Sequence, residues 1–522
     1  MKKSISGTLS RARRFPVLLI GEGLLVGGIG IGGFVVVLYR MALDVAGDWL
    51  DEILAYAGQT PWRMAGWFLV LGALAWLVSR LVSWEPLISG SGIPQLEGEM
   101  AGKLEQKWYR VLPAKFLGGF LCLLGGLALG REGPSIQLGA MAGKGISRGL
   151  DRGKTEEKFL LTCGAGAGLS AAFHAPLAGV MFSLEEVHKN FSVSALLSVM
   201  TASLTADFLA TAVLGTDSVF QFTITRELPV HFYWMVLGLG VVLGVLGAFY
   251  NWFTLKVQSL YDRATFLNST GKILIPFFCA GVLGFTAPEL LGSGHDLIEK
   301  LTSVDMLLGT AVFLLVGRFL FSAVSFGSGA PGGIFFPLLV LGGYMGGIFA
   351  MAGIRLWGLD PVFLNNFVLL AMAGYFAAVV RAPLTGIILI FEMTGTLTQM
   401  LSLSVVSIVA YVTATLLGSR PIYESLLDRL LLRRGEKPPR EQGEKMLMHF
   451  AVSRGSRIED LTIGEVRWPE NCLLVAVERG SQEIIPRGKT RLLAGDVIVT
   501  MTDERDEARV HDEMEKLCRE MF

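Results

Sequence analysis

Long apolar runs, broken by glycine and proline, follow one another along most of this chain. The first ends near Leu38, and ten more lie at 64–82, 116–130, 159–184, 194–214, 232–256, 272–290, 306–325, 333–356, 363–397 and 399–418. Several are too short to cross a hydrocarbon core of about 30 Å as simple helices. Irregular backbone at membrane depth is tolerated only where it is buried in protein or lines a cavity. The pattern therefore predicts an all-α polytopic membrane protein of the transporter or channel kind.

The composition agrees with a membrane protein. Hydrophobic residues make up 52% of the 522 positions and charged residues 17%, against about 25% in ordinary soluble proteins. Acidic and basic residues balance at 45 each, so no global field points to nucleic acid. The five cysteines have no paired short spacing and indicate neither a metal site nor a disulfide framework. Disorder, collagen and a disulfide-stapled secreted domain are excluded.

Charge is concentrated at the C-terminal end. Residues 433–522 carry 34 charged side chains in 90 positions, whereas the preceding 432 positions carry 56. We therefore expect a membrane body at 1–432, a charged linker at 433–445 and a soluble tail at 446–522. In the tail, alternating apolar positions predict three strands, at Cys472–Val477, Glu483–Pro486 and Asp496–Met501. A polar helix is expected at Asp506–Cys518, and Asp460–Val466 could be one more short helix. This is the pattern of a small α+β domain.

The N-terminus indicates the orientation in the membrane. Its first fourteen positions hold five basic residues and no acid, and excess positive charge stays in the cytoplasm. No small-residue cleavage site follows, so we interpret the first apolar run as a membrane helix rather than a signal peptide. An even number of crossings would place both termini in the cytoplasm.

An internal repeat is the strongest structural signal. Ala175-Pro176-Leu177-Ala178-Gly179 with Glu185 matches Ala382-Pro383-Leu384-Thr385-Gly386 with Glu392, 207 positions later. Earlier, residues 130–134 can be laid over 327–331, with an offset of 197. Two halves, about 15–215 and 230–432, with broken segments in matching positions are typical of repeat-built transporters. An odd number of spans in the first half would make the repeats inverted, and the sequence leaves that count open.

Glycine-rich segments with a proline recur where helices are expected to begin. They are Gly90-Ser91-Gly92-Ile93-Pro94, Gly130-Arg131-Glu132-Gly133-Pro134 and the stretch from Gly329 to Pro337. A helix N-terminus offers unpaired N–H groups and about half a positive charge. Several such ends converging at mid-membrane would bind an anion. The alternative is that these glycines only permit close helix packing.

Glu132 is the most informative single residue. A carboxylate deep in an apolar body is costly and by default functional. At a helix start it competes with any anion bound there, and it should leave the site when protonated. This would couple proton uptake to anion passage. The alternative is a carboxylate that only caps its helix.

These motifs, with Pro421-Ile422-Tyr423-Glu424-Ser425 near the end of the body, resemble the CLC family of chloride channels and proton-coupled chloride transporters. The resemblance covers about 15–432 and implies a homodimer in which each subunit has its own pore, built from two inverted halves. It also implies that the Ser91 and Tyr423 hydroxyls and the backbone N–H groups of Ile334 and Phe335 bind chloride. Glu132 would be the gating glutamate.

The same resemblance separates exchangers from channels. Exchangers carry a second, inward-facing glutamate for protons, and it matches Glu186, where channels have an apolar residue. Without the family resemblance, Glu185 and Glu186 could simply lie at the solvent-exposed end of a helix. Ser91 stands where a nitrate-preferring relative has Pro and fluoride-exporting relatives have Met, which favours chloride.

The tail, over about 450–522, is similar to the C-terminal ligand-sensing domain of potassium-conductance regulators (RCK). In that family such domains pair as dimers, and some bind cyclic dinucleotides. A phosphate contact is expected at Ile484–Gly488, with Ile485 and Arg487 as candidates. The alternative is that Arg487 lies on a solvated turn and the tail only aids dimerisation.

The sequence thus predicts a dimeric chloride/proton antiporter of a bacterial inner (plasma) membrane, with a cytosolic regulatory domain. It would be a secondary active transporter and not an enzyme, with chloride and protons as substrates and without a resident cofactor or metal. One alternative is an uncoupled voltage- or ligand-gated chloride channel. Another is mainly a ligand sensor whose membrane body is regulated. A potassium transporter is disfavoured because no TVGYG-type filter is present.

Overall fold

The chain divides into two compact units, Met1–Leu430 and Leu431–Phe522. The computed structural model describes residues 21, 23, 24, 26, 27, 31–215, 224, 226–301, 306–395, 399–436, 445–480 and 482–519. The basic residues of the first fourteen positions and most of the charged linker (437–444) lie outside the described residues.

The described part of the membrane body is helical throughout. Its helices are α1 Ile31–Ala57, α2 Pro61–Trp84, α3 Ile93–Met100, α4 Trp108–Leu124, α5 Glu132–Gly149, α6 Lys154–Phe173, α7 Pro176–Phe182, α8 Val193–Leu214, α9 Tyr233–Arg263, α10 Ser269–Thr286, α11 His295–Leu301, α12 Leu308–Gly327, α13 Phe335–Trp357, α14 Leu364–Val380, α15 Pro383–Thr394, α16 Met400–Leu416 and α17 Ile422–Arg433. A π-helical segment, Ser183–His188, extends α7. Short 3-10 turns lie at Pro86–Ile88, Val230–Phe232, Pro288–Leu290 and Pro361–Phe363.

Several of these helices are long and apolar enough to cross a membrane. In the described part of the chain they are Pro61–Trp84, Val193–Leu214, Val230–Arg263, Ser269–Thr286, Leu308–Gly327, Phe335–Trp357 and Pro361–Val380. The most apolar windows of Phe335–Trp357 and Pro361–Val380 are 78% and 89% buried, whereas the other five are at most 39% buried. The two buried helices therefore form the centre of the body, and the others face outward.

Three apolar runs differ in extent from the helices that contain them. The helix that contains Leu38 does not end near that residue but continues to Ala57, through Arg40 and Asp44, and most of the run before Ile31 lies outside the described residues. The apolar run at 159–184 is divided between α6 and α7, because His174 adopts a left-handed conformation (φ 52°) and Pro176 begins the next helix. The run at 363–397 breaks in the same way at Arg381 (φ 76°), before Pro383.

The repeat is visible in the contacts between the halves. Gly130 and Gly333 form an antiparallel bridge, in which each amide donates to the other's carbonyl at 2.7 and 2.8 Å. Pro134 and Pro337 are then both the third residue of a helix, α5 and α13. The correct offset here is 203, and the overlay at 197 is wrong.

The tail is a four-stranded antiparallel sheet with one helix. Its strands are β1 Lys445–Ala451, β2 Leu473–Arg479, β3 Gln482–Ile484 and β4 Val497–Asp503, in the order β1-β4-β2-β3, followed by a 3-10 turn at Glu504–Asp506 and α18 Glu507–Cys518. The register aligns the buried side chains Phe450, Ile498 and Val477 across three strands. They pack in one apolar core with Val510 and Met514 of α18.

The α+β fold predicted for the tail is confirmed, with two corrections. β1 begins at Lys445, in the stretch interpreted as linker, and was not expected as a strand. The possible helix at Asp460–Val466 is absent, because this stretch forms turns whose Thr462 makes an isolated bridge to Arg491.

Candidate functional site: a buried junction of helix starts

Three glycine-rich segments of the body meet at one place. Gly90 forms a parallel bridge with Pro331, and Gly130 forms the antiparallel bridge with Gly333. The Gly332 amide also donates to the Gly90 carbonyl at 3.0 Å. Helices α3, α5 and α13 begin within three residues of these bridges, at Ile93, Glu132 and Phe335. The sequence therefore brings three helix N-termini, and their partial positive charge, to a common centre.

Glycine is required where α3 begins. Gly92 precedes α3 with φ 96°, a left-handed conformation that costs other residues strain. A Cβ at this position would also meet the Gln137 side chain, which belongs to α5. Gln137 Nε2 itself donates to the Leu87 carbonyl at 2.9 Å. Close contact with α5 thus fixes the loop that carries Ser91.

Lys115 supports the same loop from α4. Its side chain is fully buried, and Nζ donates to the carbonyls of Ile88 at 2.8 Å and Gly90 at 2.6 Å. A buried ammonium needs such acceptors, because it loses its hydration. The lysine is therefore occupied by the backbone of the loop, and its charge lies beside the junction.

The predicted chloride ligands are buried at this junction. Ile334 and Phe335 stand at the start of α13 and are fully buried, as is Tyr423 in the first turn of α17. Ser91 is 2% exposed, and a Cβ on Gly133 would meet its hydroxyl, so the hydroxyl lies against the first turn of α5.

Neither the Ser91 hydroxyl nor the Tyr423 hydroxyl has a hydrogen-bond partner among the described residues. Buried polar atoms are almost always paired in folded proteins, because an unpaired one costs about 1–3 kcal/mol. The Ser91 hydroxyl, a free donor beside converging helix starts, and the Tyr423 hydroxyl, which lies within electrostatic range of Glu132, are suited to a small anion. Their role as chloride ligands stays a prediction.

Glu132 is the first residue of α5 and is fully buried. Its Oε1 lies 3.9 Å from Nε of Arg131, and its carboxylate is close to the backbone amide of Phe336 at the start of α13. Arg131 itself pairs with Asp44 at 2.7 Å. The carboxylate therefore occupies the kind of place that a bound anion would take, between two helix starts.

A pocket of about 480 Å³ lies beside Arg131, the neighbour of this glutamate in the chain. Arg131 and Asp44 line it, with His174 and Asp296 among the other polar residues of its wall. We call it the Arg131 pocket. Glu132 itself is fully buried and follows the arginine that lines this pocket.

Glu186 lies in the π-helical segment and is 5% exposed. Its carboxyl group lies within electrostatic range of that of Glu97, which is 6% exposed and belongs to α3, and neither oxygen of Glu97 has a hydrogen-bond partner among the described residues. Two carboxylates that share a buried site repel each other when both are ionised, so such a pair favours holding a proton. The pair is a place where a proton can be held inside the body.

The sequence analysis did not identify Glu97. It follows Ser91 by six positions and resembles a residue on the solvent-exposed face of a helix. In the structure every residue of α3 from Ile93 to Glu99 is buried, and a short helix without an exposed face cannot be recognised from periodicity. The signal available was an acid close to a candidate anion site.

The tail candidates lie on its surface. Ile485 is 76% exposed, and Arg487 is exposed in a turn where its amide donates to Oγ1 of Thr490 at 3.1 Å. Further along the chain, Asp496 is a buried residue that accepts two bonds from Arg479 at 2.8 Å and one from the amide of Leu493 at 2.9 Å. Burial alone would raise the pKa of Asp496, but Arg479 outweighs this and lowers it.

Residues 68–415 match the profile of the voltage gated chloride channel family, which is two thirds of the chain. The chain belongs to this family. Residues 447–514 match the TrkA-C domain, which confirms the resemblance of the tail to RCK C-terminal domains. Within the described residues, no group of three or more His, Cys, Asp or Glu is placed to hold a metal ion.

Relatives of known activity are similar to this CLC protein over most of its length. The H(+)/Cl(-) exchange transporter ClcA of Vibrio cholerae serotype O1 is 35% identical over 460 residues, which cover 84% of this chain and 96% of the relative. The crystal structure of a slow cyanobacterial Cl-/H+ antiporter superposes with a TM-score of 0.75 at 32% identity and covers 81% of this chain and 99% of that one. A CLC-type fluoride/proton antiporter, at 20% identity, TM-score 0.60 and coverage of 77% and 96%, shares the fold.

Proposed function

We propose that this CLC protein exchanges chloride for protons across the membrane. The observation that supports this most is that the chain buries two acids, Glu132 and Glu186, near the predicted chloride ligands. Glu132 follows Arg131 of the Arg131 pocket, and Glu186 lies close to Glu97. Tyr423 is within electrostatic range of both Glu132 and Glu186. A channel would need no second buried acid.

In the proposed mechanism the Glu132 carboxylate and chloride compete for the same helix starts. When Glu132 is ionised, it occupies the site and blocks anion passage. When a proton arrives, the neutral side chain loses its attraction to the helix starts and leaves. Chloride then binds at the amides of Ile334 and Phe335 and passes the hydroxyls of Ser91 and Tyr423. The proton continues toward Glu186 as chloride moves in the opposite direction.

The cellular setting follows from the same proposal. The protein would lie in a bacterial inner membrane as a homodimer, with a separate pore in each subunit and both termini in the cytoplasm. We call the side on which the tail leaves the body the inner side. The basic N-terminus supports this orientation.

Proton movement driven only by a chloride gradient tests the function. Purified protein in liposomes with high inner chloride should move protons uphill as chloride leaves, and Glu186→Gln should stop the protons while chloride still flows. Chloride flux without proton movement in the unmodified protein would make it a channel. If Glu186→Gln still pumps protons, the relay role of Glu186 is wrong.

We further propose that the tail regulates transport by binding a cyclic dinucleotide near Ile485 and Arg487. The exposed turn and its cation support this proposal, since phosphates bind arginine by charge-assisted bonds. Calorimetry of the full-length protein with cyclic dinucleotides, and with Arg487→Ala, tests it. Absence of binding would leave the tail without this role.

A further inference from the structure

A lysine and a glutamate connect the segment of Glu186 to the helix of Tyr423. Lys189 follows the π-helical segment in a left-handed conformation, with φ 52°. Its Nζ lies 2.6 Å from Oε1 of Glu424, which comes directly after Tyr423 in the first turn of α17. This bridge therefore joins the two elements that carry the inner acid and one predicted chloride ligand.

Burial changes steeply between the bridge and the acid pair. The side chains of Lys189 and Glu424 are 45% and 39% exposed, whereas Glu97 and Glu186 are 6% and 5% exposed. Oε1 of Glu186 is buried without a hydrogen-bond partner among the described residues. A proton held by the buried pair must come from water, and the bridge is where this neighbourhood reaches the surface.

The charges of the bridge act on the buried pair. Lys189 is within electrostatic range of Glu97, Glu186 and Glu424, and Glu424 is within range of both buried acids. Asp428, one turn further along α17, also acts on Glu97, but it is bonded to Arg420 at 2.9 Å. Glu424 is thus an exposed carboxylate that is paired with Lys189, the same cation that acts on Glu97 and Glu186.

Glu185 is a less suitable route for protons, although it is the neighbour of Glu186 in the chain. Its Oε1 accepts from the amide of Leu384 at 3.3 Å, and its Oε2 accepts from the amide and hydroxyl of Thr385 at 2.9 and 2.7 Å. Both oxygens are used to hold the start of α15. A proton on Glu185 would weaken these contacts at the start of α15, whereas protonation of Glu424 would cost only its half-exposed ion pair with Lys189.

We propose that Glu424 is the group through which protons pass between the inner solution and the Glu97–Glu186 pair, and that Lys189 positions it there. The inference rests on the proposed antiport. Glu424 takes a proton from a hydronium ion, leaving water, and gives it up toward Oε1 of Glu186, which returns Glu424 to a carboxylate. In the reverse direction the same bonds form and break in the opposite order.

The ion pair contributes little to folding, which makes its functional role testable. Half-exposed salt bridges are worth about 0–1 kcal/mol. Lys189 can therefore leave Glu424 at low cost when the carboxylate accepts a proton. It stays close to Glu97 and Glu186, whose ionised forms it favours.

The experiment measures proton and chloride fluxes separately in liposomes containing the full-length dimer. Glu424→Gln should lower chloride-driven proton flux at least fivefold and leave chloride flux at or above its unmodified value. Glu424→Asp should restore most of the proton flux. Lys189→Met should lower the proton-to-chloride ratio, and Lys189→Arg should preserve it. A purely structural bridge would instead reduce both fluxes together.

Asp503→Asn is the matched control. Asp503 pairs with Lys445 in the tail, where the two side chains are 34% and 48% exposed, and its loss should leave the flux ratio unchanged. An unmodified proton-to-chloride ratio in Glu424→Gln would overturn the inference, since protons would then reach Glu186 without it. If the unmodified protein moves no protons, it is the proposed antiport that fails.

Discussion

Glu185 and Glu392 each hold the start of a helix in the other half of the body. Glu392 accepts from the amides of Leu177 and Ala178 at 2.9 and 2.7 Å, at the start of α7. Glu185 accepts in the same way from Leu384 and Thr385, at the start of α15. The two glutamates are 207 positions apart, as are the residues they bind, so the contact is reciprocal under the repeat.

Removing one of these contacts should destabilise the body without stopping transport. Glu392→Ala leaves two helix-start amides without a carboxylate and should cost about 0.5–2 kcal/mol, as other N-terminal caps do. Glu392→Gln keeps an acceptor and should cost less. The melting temperature in detergent, together with chloride flux, measures the effect. A variant with unchanged melting and no flux would instead place Glu392 in the transport path.

Neutralising Glu132 should uncouple chloride transport from proton transport. Glu132→Gln cannot take up or release a proton, and an uncharged side chain is not attracted to the helix starts. We expect proton transport to be abolished while chloride flux persists. Simultaneous chloride-electrode and pH recordings from one liposome preparation check this. Persistent proton pumping in Glu132→Gln would remove it from the proton path.

The two free hydroxyls should each contribute to chloride binding. Ser91→Ala and Tyr423→Phe remove one neutral hydrogen bond each, worth about 0.5–1.5 kcal/mol, so chloride should bind about twofold to tenfold more weakly. Isothermal titration of each purified variant measures the change. Tyr39→Phe, a buried tyrosine outside the predicted ligand set, is the matched control. Equal affinity in all variants would contradict the assignment.

Close helix packing makes Gly139 intolerant of a side chain. A Cβ here would meet the carbonyl oxygen of Gly164, and a Cβ on Gly164 would meet that of Gly139, so α5 and α6 touch by their backbones. Gly139→Val should cost at least about 1–3 kcal/mol, as overpacking of a core does. Gly149→Ala meets no atom within 4 Å and should be neutral. Folded yield and melting temperature of both variants provide the comparison.

The tail should lose stability in acid. Arg479 holds the pKa of Asp496 below its usual value, against the effect of burial. A depressed carboxyl pKa contributes stability above the unfolded pKa of about 3.9, and this is lost as pH falls through the lower folded pKa. Hydrogen exchange of the tail strands, corrected for intrinsic rates, should show weaker protection below about pH 4. Asp496→Asn should already be weakened at pH 7 and should lack this acid step.

The repeat and the helix starts could be predicted because they depend on short local signals. Proline and glycine mark the starts of α3, α5 and α13, and Glu132 follows directly from its place in one of them. The register between residues 130 and 333 could not be predicted, since it depends on backbone bonds between segments distant in sequence.

Other features depended on tertiary contacts that local pattern does not contain. Charged residues such as Arg40 and Asp44 resemble the end of a membrane helix, yet α1 continues through them, and both line the Arg131 pocket. Glu97 was missed because α3 is buried on all sides. The strand β1 begins with a lysine that pairs with Asp503, and a strand edge with such a charge resembles a linker.

The bridge between Gly130 and Gly333 limits how the protein can open. Two backbone hydrogen bonds join its halves beside the predicted anion site, and each would cost about 4–6 kcal/mol to break in an apolar medium. Hinging the halves apart there would therefore carry a substantial free-energy cost. Movements of side chains, such as the swing of one carboxylate, leave this bridge intact, so we expect them to open the predicted anion site.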